Sequence, residues 1–207
     1  LLLDYKASWG EMDMRGTAQQ TAKLLGGTFM ERTTARSVIE RLIAAADRRP
    51  ESDRLRSRGW HVTLFEFRER HTVEGLAKRM RAAAKADDPF AAINQCQPHM
   101  LEAAKAHVDR VVLEAFIGAI EDCDDDYIAA LLGRVCDLFA LATIEANRAW
   151  FLEHEAFDSG RSKAITAEVD TLCGELRPKA RELAEGLGVP DAWLTLPREA
   201  IPPLIPR

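Results

Sequence analysis

The first candidates for chemistry are cysteine and histidine, because thiolates and imidazoles bind metal ions. The segment Cys96-Gln-Pro-His99 is followed by His107. Structural zinc sites usually combine two tightly spaced ligand pairs, and the sequence offers no second pair here. The spacing favours a buried cysteine with two surface histidines, so we predict no metal site. The four cysteines are widely separated, and we expect buried free thiols in a reducing compartment rather than disulfides.

A second candidate is an acidic cluster that could bind a cation. Its members are Glu121, Asp122, Asp124, Asp125 and Asp126. The cluster lacks the alternating ligands and the central glycine of a calcium loop. It lies where one predicted helix ends and the next begins, and carboxylates there cap N-termini and complement the helix dipole. We therefore interpret the cluster as capping residues.

A third candidate is a group that could transfer protons on one helix: Glu145, Arg148, Glu153 and His154. A carboxylate near a histidine can do acid–base chemistry, but on a solvated helix this spacing is typical of ion pairs. There is no glycine-rich phosphate loop after a strand and no G-x-S-x-G motif. Each acidic residue can be assigned to a cap, a turn or a solvated face. The sequence thus predicts no catalytic residue and identifies no cofactor-binding residue.

Composition narrows the functional class. The chain has 207 residues, of which 47% are hydrophobic and 29% charged, with a net charge of −5. Basic and acidic residues are interleaved, whereas a nucleic-acid surface needs a basic patch or stripe. No window approaches the roughly 18 consecutive apolar residues of a membrane span. We therefore expect a cytoplasmic protein that binds neither nucleic acid nor membrane.

Apolar residues spaced by three and four predict helices, and no stretch alternates as a strand would. Five helical segments follow, at about 17–46, 53–86, 89–121, 125–155 and 158–186. Pro98 and Pro178 should kink the third and fifth segments, and Asp88 should cap the third. Short loops make successive helices antiparallel neighbours. The predicted fold is all-α, an up-and-down bundle of four to five long helices spanning 17–195, between a preceding helix tail and linker (1–16) and a proline-rich tail (196–207).

The spacing also places apolar residues on stripes. The second segment carries Val62, Phe65, Val73, Leu76, Met80 and Ala83; the third carries Leu101, Ala104, Val108, Val111 and Ala115; the buried stripe of the fifth carries Ile165, Val169, Leu172, Leu176, Leu183 and Leu187. Between Val135 and Ile144 the fourth segment is apolar nearly all round, so neighbours must cover it on more than one side. Apolar surface should remain on the second and fourth segments for a partner or a second copy.

Short motifs occur in one order along almost the whole chain. They include Leu64-Phe65-Glu66-Phe67-Arg68-Glu69, Asp88-Pro89-Phe90, Cys136-Asp-Leu-Phe139, Arg148-Ala-Trp-Phe-Leu-Glu-His154, Arg161-Ser-Lys-Ala-Ile165 and Gly188-Val-Pro-Asp-Ala-Trp-Leu194. No motif is diagnostic alone, but in this order the chain resembles the C-terminal helical domain of acyl-CoA oxidases, especially the actinobacterial type. Pro98 departs from the family pattern, which bears only on the straightness of the third helix.

The resemblance implies an FAD-dependent enzyme of fatty-acid β-oxidation that converts acyl-CoA to trans-2-enoyl-CoA and forms hydrogen peroxide. In that family the catalytic glutamate and the flavin domain precede this region, so they would lie upstream of Leu1 and the chain alone should bind no FAD and be inactive. The implied partners are those upstream domains, acyl-CoA and a second subunit of a homodimer.

The alternative is a free-standing helical interaction or dimerisation module without catalytic activity. A helical transcriptional repressor is disfavoured by the acidic balance and by the lack of a basic recognition helix. The terminus Ile205-Pro206-Arg207 is unlike the Ser-Lys-Leu peroxisomal address, which favours a bacterial cytoplasmic setting.

Overall fold

The structure is a computed structural model that describes residue 39, residues 41–43 and residues 55–189. Within this part the chain is helical and contains no strand, which confirms the all-α prediction. The helices are α1 (Arg58–Ala83), α2 (Pro89–Asn94), α3 (Gln97–Glu121), α4 (Asp126–Ala146), α5 (Arg148–Glu153), α6 (Ser159–Leu176) and α7 (Ala180–Gly186).

Much of the predicted first helix lies outside the described residues, as do the two predicted tails. Residue 39 and residues 41–43 are helical, in agreement with the predicted segment 17–46. Ile39 is fully buried and belongs to the main hydrophobic core. This short piece of helix therefore packs on the bundle formed by α1 to α7.

Three aspartates begin helices by accepting hydrogen bonds from backbone N–H groups that would otherwise lack partners. Asp88 accepts from the N–H of the third residue after it, with Pro89 in the first turn of α2. Asp125 accepts from two N–H groups at the start of α4, and Asp158 accepts from one at the start of α6. The predicted cap at Asp88 is therefore confirmed.

The helices are interrupted near the prolines, as predicted. The third segment divides into α2 and α3, with Pro98 in the first turn of α3 where its missing N–H costs little. A 3₁₀ turn at Arg177–Lys179 contains Pro178 and separates α6 from α7.

The prediction of one continuous helix over 125–155 was wrong. The helix breaks at Asn147, whose φ of −106° and ψ of 16° are not helical. The Asn147 side-chain amide donates to the backbone carbonyl of Thr143 over 2.7 Å. Asparagine competes in this way with the helical hydrogen bonds of the backbone. The chain then resumes as the short helix α5.

Helix α1 packs along α3, while α4 packs against α3, α6 and α1. The main core joins these helices around Val62, Leu113, Ile144 and Leu172. A smaller cluster joins the end of α1 to Cys96 and Ala103. Every apolar residue predicted on the stripe of the second segment is buried. The up-and-down arrangement with sequential neighbours is confirmed.

Helix α4 is the only described helix that is long and apolar enough to cross a membrane by length and composition. Central helices of globular domains share this property. Neighbouring helices contact α4 on more than one side, as its apolar sequence predicts, and they bury Cys136, Ala140 and Ile144.

The apolar stripe of α3 exists, but it faces away from the bundle. Leu101 is 72% exposed and Val108 is 56% exposed, and Ala104, Val111 and Ala115 are exposed beside them. We call these five residues the outer stripe. The inner face of α3 instead carries Ala103, Ala106, Arg110, Leu113, Glu114, Ile117 and Ile120. The buried stripe predicted for the fifth segment was wrong at its end: Leu183 on α7 is half-buried, and Leu187, which follows the end of α7 at Gly186, is 77% exposed.

Candidate functional site

The residues considered as metal ligands do not come together. Cys96 is buried just before α3, and its thiol donates to the carbonyl of Ala92 over 3.4 Å. His99 is exposed. His107 instead pairs with Glu69, and its Nδ1 lies 2.6 Å from Oε1 of Glu69. Within the described ranges, no three His, Cys, Asp or Glu side chains are grouped to hold a metal ion.

The acidic cluster divides between a cap and solvated positions. Asp125 caps α4, as interpreted from the sequence. Glu121 and Asp122 are exposed at the end of α3, and Asp124 and Asp126 are exposed beside the cap. The cluster therefore supplies one cap, Asp125, and one further carboxylate in the first turn of α4, Asp126.

The prediction of ion pairs within the third candidate group (Glu145, Arg148, Glu153 and His154) was wrong for Glu145 and His154. Glu145 accepts a hydrogen bond from the hydroxyl of Thr166 on α6 over 2.6 Å. His154 stacks on Trp150 with ring centroids 4.0 Å apart. The break at Asn147 changes the course of the chain, so these side chains no longer share one continuous helix face. Arg148 and Glu153 are exposed, as expected.

The expectation of buried free thiols was only partly right. All four cysteines are free, and Cys96 and Cys136 are buried. Burial raises the pKa of the Cys136 thiol to about 12, which makes this group inert as a nucleophile near neutral pH. Cys123 is half-buried and Cys173 is exposed on α6.

A buried network of charges between α1 and α3 was missed. The carboxylate of Glu69 accepts hydrogen bonds from Arg110 and from His107. Arg110 also donates to Glu114 over 2.5 Å. We call these four residues the Glu69 network. The assignment of every acidic residue to a cap, a turn or a solvated face was therefore wrong, since Glu69 and Glu114 are each 2% exposed.

A sequence signal for this network was present. Arg110 and Glu114 are four residues apart and form an ion pair along α3. They lie on the same face of α3 as Ala103 and Ala106, and this face could pack on the bundle. The opposite face, which carries the outer stripe, is more apolar, and for this reason the network was not predicted.

Arg68 extends the charged contact between the two helices. Its Nη2 donates to Glu102 over 2.8 Å, and its Nη1 lies 3.7 Å from a carboxylate oxygen of Asp109. Its guanidinium carbon is 5.9 Å from the ring centre of Trp150. Burial lowers the pKa of Arg68 and raises that of Asp109. The pair is thus held in a partly desolvated contact.

A further buried carboxylate, that of Asp137 on α4, faces Arg58 of α1. The Arg58 Nε lies 3.7 Å from Asp137 Oδ1. Burial raises the pKa of Asp137 to about 6, while the charge of Arg58 opposes this effect. A Cβ at Gly133 would lie 2.5 Å from Arg58 Nη2, so the glycine makes room for the guanidinium.

These contacts determine what the buried acids can do. A general base needs a carboxylate within reach of a substrate proton. Both oxygens of Glu69 accept hydrogen bonds, from His107 and Arg110, while Arg110 also binds Oε1 of Glu114, and both carboxylates are buried. The arrangement orients α1 against α3 and leaves neither of these carboxylates poised to remove a proton.

Another feature of the surface is an apolar groove between α3 and α4, which we call the α4 groove. It has a volume of about 400 Å³ and is open to solvent. Its apolar lining consists of Val135, Leu138, Phe139, Ala142 and Ala146. Lys105 and Asp109 of α3 line its other side. The groove and the outer stripe together leave much apolar surface on two neighbouring helices.

A second hollow, of about 540 Å³, lies where α5 meets α6. Trp60, Phe157 and Arg161 line it, together with the acidic residues Glu155 and Asp158. Arg161 lies over the Trp60 ring, 5.3 Å from its centre. The acidic residues make this hollow unsuitable for a phosphate-bearing ligand.

The chain is similar to known proteins of one family. The family model described as acyl-CoA oxidase matches residues 60–195, which include α1 to α7 except the first two residues of α1. An acyl-coenzyme A oxidase-like protein of Mus musculus is 30% identical over 143 residues, covering 68% of this chain and 23% of the relative. The peroxisomal acyl-coenzyme A oxidase 2 of Arabidopsis thaliana is 30% identical over 139 residues, covering 67% of this chain and 20% of the relative.

The chain therefore spans only a fifth to a quarter of the length of these two relatives. A shorter relative from Arabidopsis thaliana is 25% identical over 146 residues, and the match covers 77% of that protein. No solved structure matches the chain. Because the family match extends over most of the chain and through the whole described bundle, the chain belongs to the acyl-CoA oxidase family.

Proposed function

We propose that this chain is the C-terminal structural domain of an FAD-dependent acyl-CoA oxidase of the actinobacterial type. The complete enzyme would oxidise acyl-CoA with molecular oxygen, giving trans-2-enoyl-CoA and hydrogen peroxide in fatty-acid β-oxidation. Membership of the family supports the reaction class. The longer relatives support the presence of further domains, because most of their length has no counterpart in this chain. We propose a cytoplasmic location and a homodimer.

The outer stripe is the single observation that carries this proposal. Large apolar patches on a protein surface usually mark interfaces. Here Leu101, Val108 and Val111 project from the side of α3 opposite its buried face, and the α4 groove adds apolar surface beside them. We assign this surface to contact with the remainder of the enzyme, the upstream flavin and catalytic domains.

Neither the α4 groove nor the hollow beside Trp60 suits the pyrophosphate of FAD. The pyrophosphate of FAD requires donors and positive charge. The α4 groove is mainly apolar, and the hollow beside Trp60 carries Glu155 and Asp158. We therefore place FAD and acyl-CoA binding in the domains outside this chain.

The proposal is tested by substituting the outer stripe. The purified chain should self-associate, because its apolar surface has no partner, and the Leu101→Glu/Val108→Glu double variant should sediment as a monomer. Leu187→Glu is a matched control, since Leu187 is equally exposed but lies beyond α7. Sedimentation velocity measures the result. A parent chain that remains monomeric at high concentration would argue against a docking surface.

A free-standing interaction or dimerisation module is the second candidate, and the shorter relative favours it. The two candidates differ in what precedes this segment in its gene. A flavin-binding domain in frame with a catalytic glutamate supports the first function. A gene that contains only the helical bundle supports the second.

A further inference from the structure

Two histidines from distant parts of the chain meet at the surface of the bundle. His71 lies on α1 and His154 follows α5, and their Nε2 atoms are 3.0 Å apart. The rings are nearly perpendicular, with centroids separated by 4.3 Å. His71 is exposed and His154 is half-buried, so solvent ions can reach the pair.

The orientation of His154 is determined by its neighbours. Its Nδ1 lies 2.7 Å from the backbone carbonyl of Trp150. A carbonyl oxygen only accepts, so Nδ1 carries the proton and Nε2 presents its lone pair. The ring also stacks on Trp150, with an interplanar angle of 17°. Metal-binding histidines are commonly fixed in this way, by donation of the second ring N–H to a carbonyl.

We propose that His71 and His154 form a two-histidine site for a late first-row divalent cation, with Cu²⁺ bound most tightly. Imidazole nitrogens suit this class of metal, and affinity rises along the series towards copper. Two metal–nitrogen bonds of about 2.1 Å at a right angle place the nitrogens about 3.0 Å apart. The observed Nε2 separation has this value without movement of either helix.

Binding requires a change of tautomer at His71 and a turn of the imidazole rings, so that both Nε2 lone pairs point at the cation rather than at each other. In the neutral pair, His71 donates its Nε2 proton to the lone pair of His154. When the metal binds, the His71 proton moves to Nδ1 through solvent, and both Nε2 lone pairs bond to the cation. No electron is transferred. Water completes the coordination, since the described side chains offer no third His, Cys, Asp or Glu ligand. The metal then links α1 to the end of α5.

Trp150 provides a direct readout. It stacks on His154 and contacts the His71 ring, with ring centroids 5.5 Å apart. Cu²⁺ held by both imidazoles would lie close to the indole and quench its fluorescence. A cation that binds only the folded chain also raises the midpoint of thermal unfolding.

The experiment titrates the full chain with CuSO₄, and separately with NiSO₄, at about pH 8, where free imidazoles are neutral. One equivalent of Cu²⁺ should bind by calorimetry, quench fluorescence reversibly with EDTA, and raise the unfolding midpoint. His71→Gln and His154→Gln should each weaken binding at least about tenfold. Trp150→Phe should retain binding but lose most of the quenching.

His99→Gln is the matched control, because His99 is exposed on α3 and should leave Cu²⁺ binding unchanged. Circular dichroism shows whether each variant folds. If His154→Gln does not fold, His71→Gln still tests the site, because His71 is at an exposed position of α1. Cu²⁺ binding of equal strength in the parent and in both folded histidine variants would overturn the proposal. So would a parent chain that binds no Cu²⁺ at micromolar concentration.

Discussion

His61 shows how one buried imidazole makes stability depend on pH. The side chain is fully buried in the first turns of α1. Its Nε2 donates to the backbone carbonyl of Leu55 over 2.6 Å. Burial lowers the pKa of His61 to about 4, although the hydrogen bond to Leu55 opposes this effect. The folded chain therefore requires the neutral imidazole.

The sign of the effect follows from linkage. The pKa of His61 is lower in the folded chain than the usual 6.5. Its contribution to the free energy of unfolding is therefore fully present above pH 6.5 and is lost as the pH falls towards 4. The loss is about 3 kcal/mol over this range. His61→Gln keeps a donor without titrating, so the free energy of unfolding of the parent should fall relative to the variant on acidification.

Urea unfolding at several pH values measures this difference. Asp137 acts in the opposite sense, since its raised pKa gives a contribution that is lost as the pH rises through about 6. It is present in both proteins and cancels in the comparison. His99→Gln, which removes an exposed imidazole, is the control. A pH-independent difference for His61→Gln would contradict the assignment.

Gly59 is required for a close approach between backbones. A Cβ at this position would lie 2.1 Å from the carbonyl oxygen of Leu42. Main-chain atoms cannot move aside as a flexible side chain can. Gly59→Ala should therefore separate α1 from residues 41–43 and destabilise the chain by about 2 kcal/mol or more.

Gly174→Ala is the matched control for this prediction. Its Cβ would meet nothing within 4 Å, and it lies inside α6. Alanine should stabilise the helix there by about 0.5–1 kcal/mol. Chemical unfolding of both variants measures the contrast. Equal effects of the two substitutions would show that residues 41–43 do not pack closely on Gly59.

At the scale of helices, the Glu69 network determines how α1 and α3 face each other. Glu114 still pairs with Arg110 when Glu69 is removed, but the Nε of Arg110 loses its acceptor, and a buried charged donor without an acceptor costs about 2–3 kcal/mol. Glu69→Ala should therefore lower the free energy of unfolding by about this amount, since it leaves Arg110 and His107 without their shared carboxylate.

Glu102→Ala is the control, because the Glu102 side chain is 58% exposed although it pairs with buried Arg68. The expected loss is smaller, about 1 kcal/mol, because Asp109 remains beside Arg68 and the exposed Glu102 carboxylate gains little from the pair. Denaturant unfolding compares the two variants. A loss for Glu69→Ala no larger than that for Glu102→Ala would mean that the network does not hold α1 against α3.

The helix starts and interruptions were predictable because they depend on local chemistry. The Asp88 side chain accepts a hydrogen bond from the backbone N–H of Ala91, and the helices are interrupted beside Pro98 and Pro178. The break at Asn147 was missed because asparagine inside an apolar segment is also compatible with a helix. The inner face of α3 was missed although Arg110 and Glu114 stand four residues apart, because charged residues can form an inner face only when α1 supplies Glu69.

At the scale of the whole molecule, the Glu69 network and the outer stripe both result from the orientation of α3 about its own axis. With charged residues turned inward, the more apolar side of the helix is left exposed. An isolated domain would gain little from this arrangement. It is suited to a domain that is covered on its outer side, and the family relatives are long enough to supply that cover.

The partners of the buried carboxylates bear on the activity of the chain alone. Abstraction of a proton α to a thioester needs a carboxylate about 3 Å from the reacting group, in a dry pocket beside the flavin. The buried carboxylates of Glu69 and Glu114 are bound by arginine, and Asp137 faces Arg58. The purified chain should therefore bind no FAD and oxidise no acyl-CoA.

The assay adds FAD and a long-chain acyl-CoA to the purified chain and follows flavin bleaching and peroxide formation. A full-length acyl-CoA oxidase serves as the positive control. The decisive variants are Glu69→Gln and Glu114→Gln, because these side chains are the most deeply buried acids of the described bundle. If the chain turned over acyl-CoA and one of these substitutions abolished the reaction, the bundle would contain the catalytic base. Since both carboxylates are engaged by Arg110, we expect no turnover with or without the substitutions.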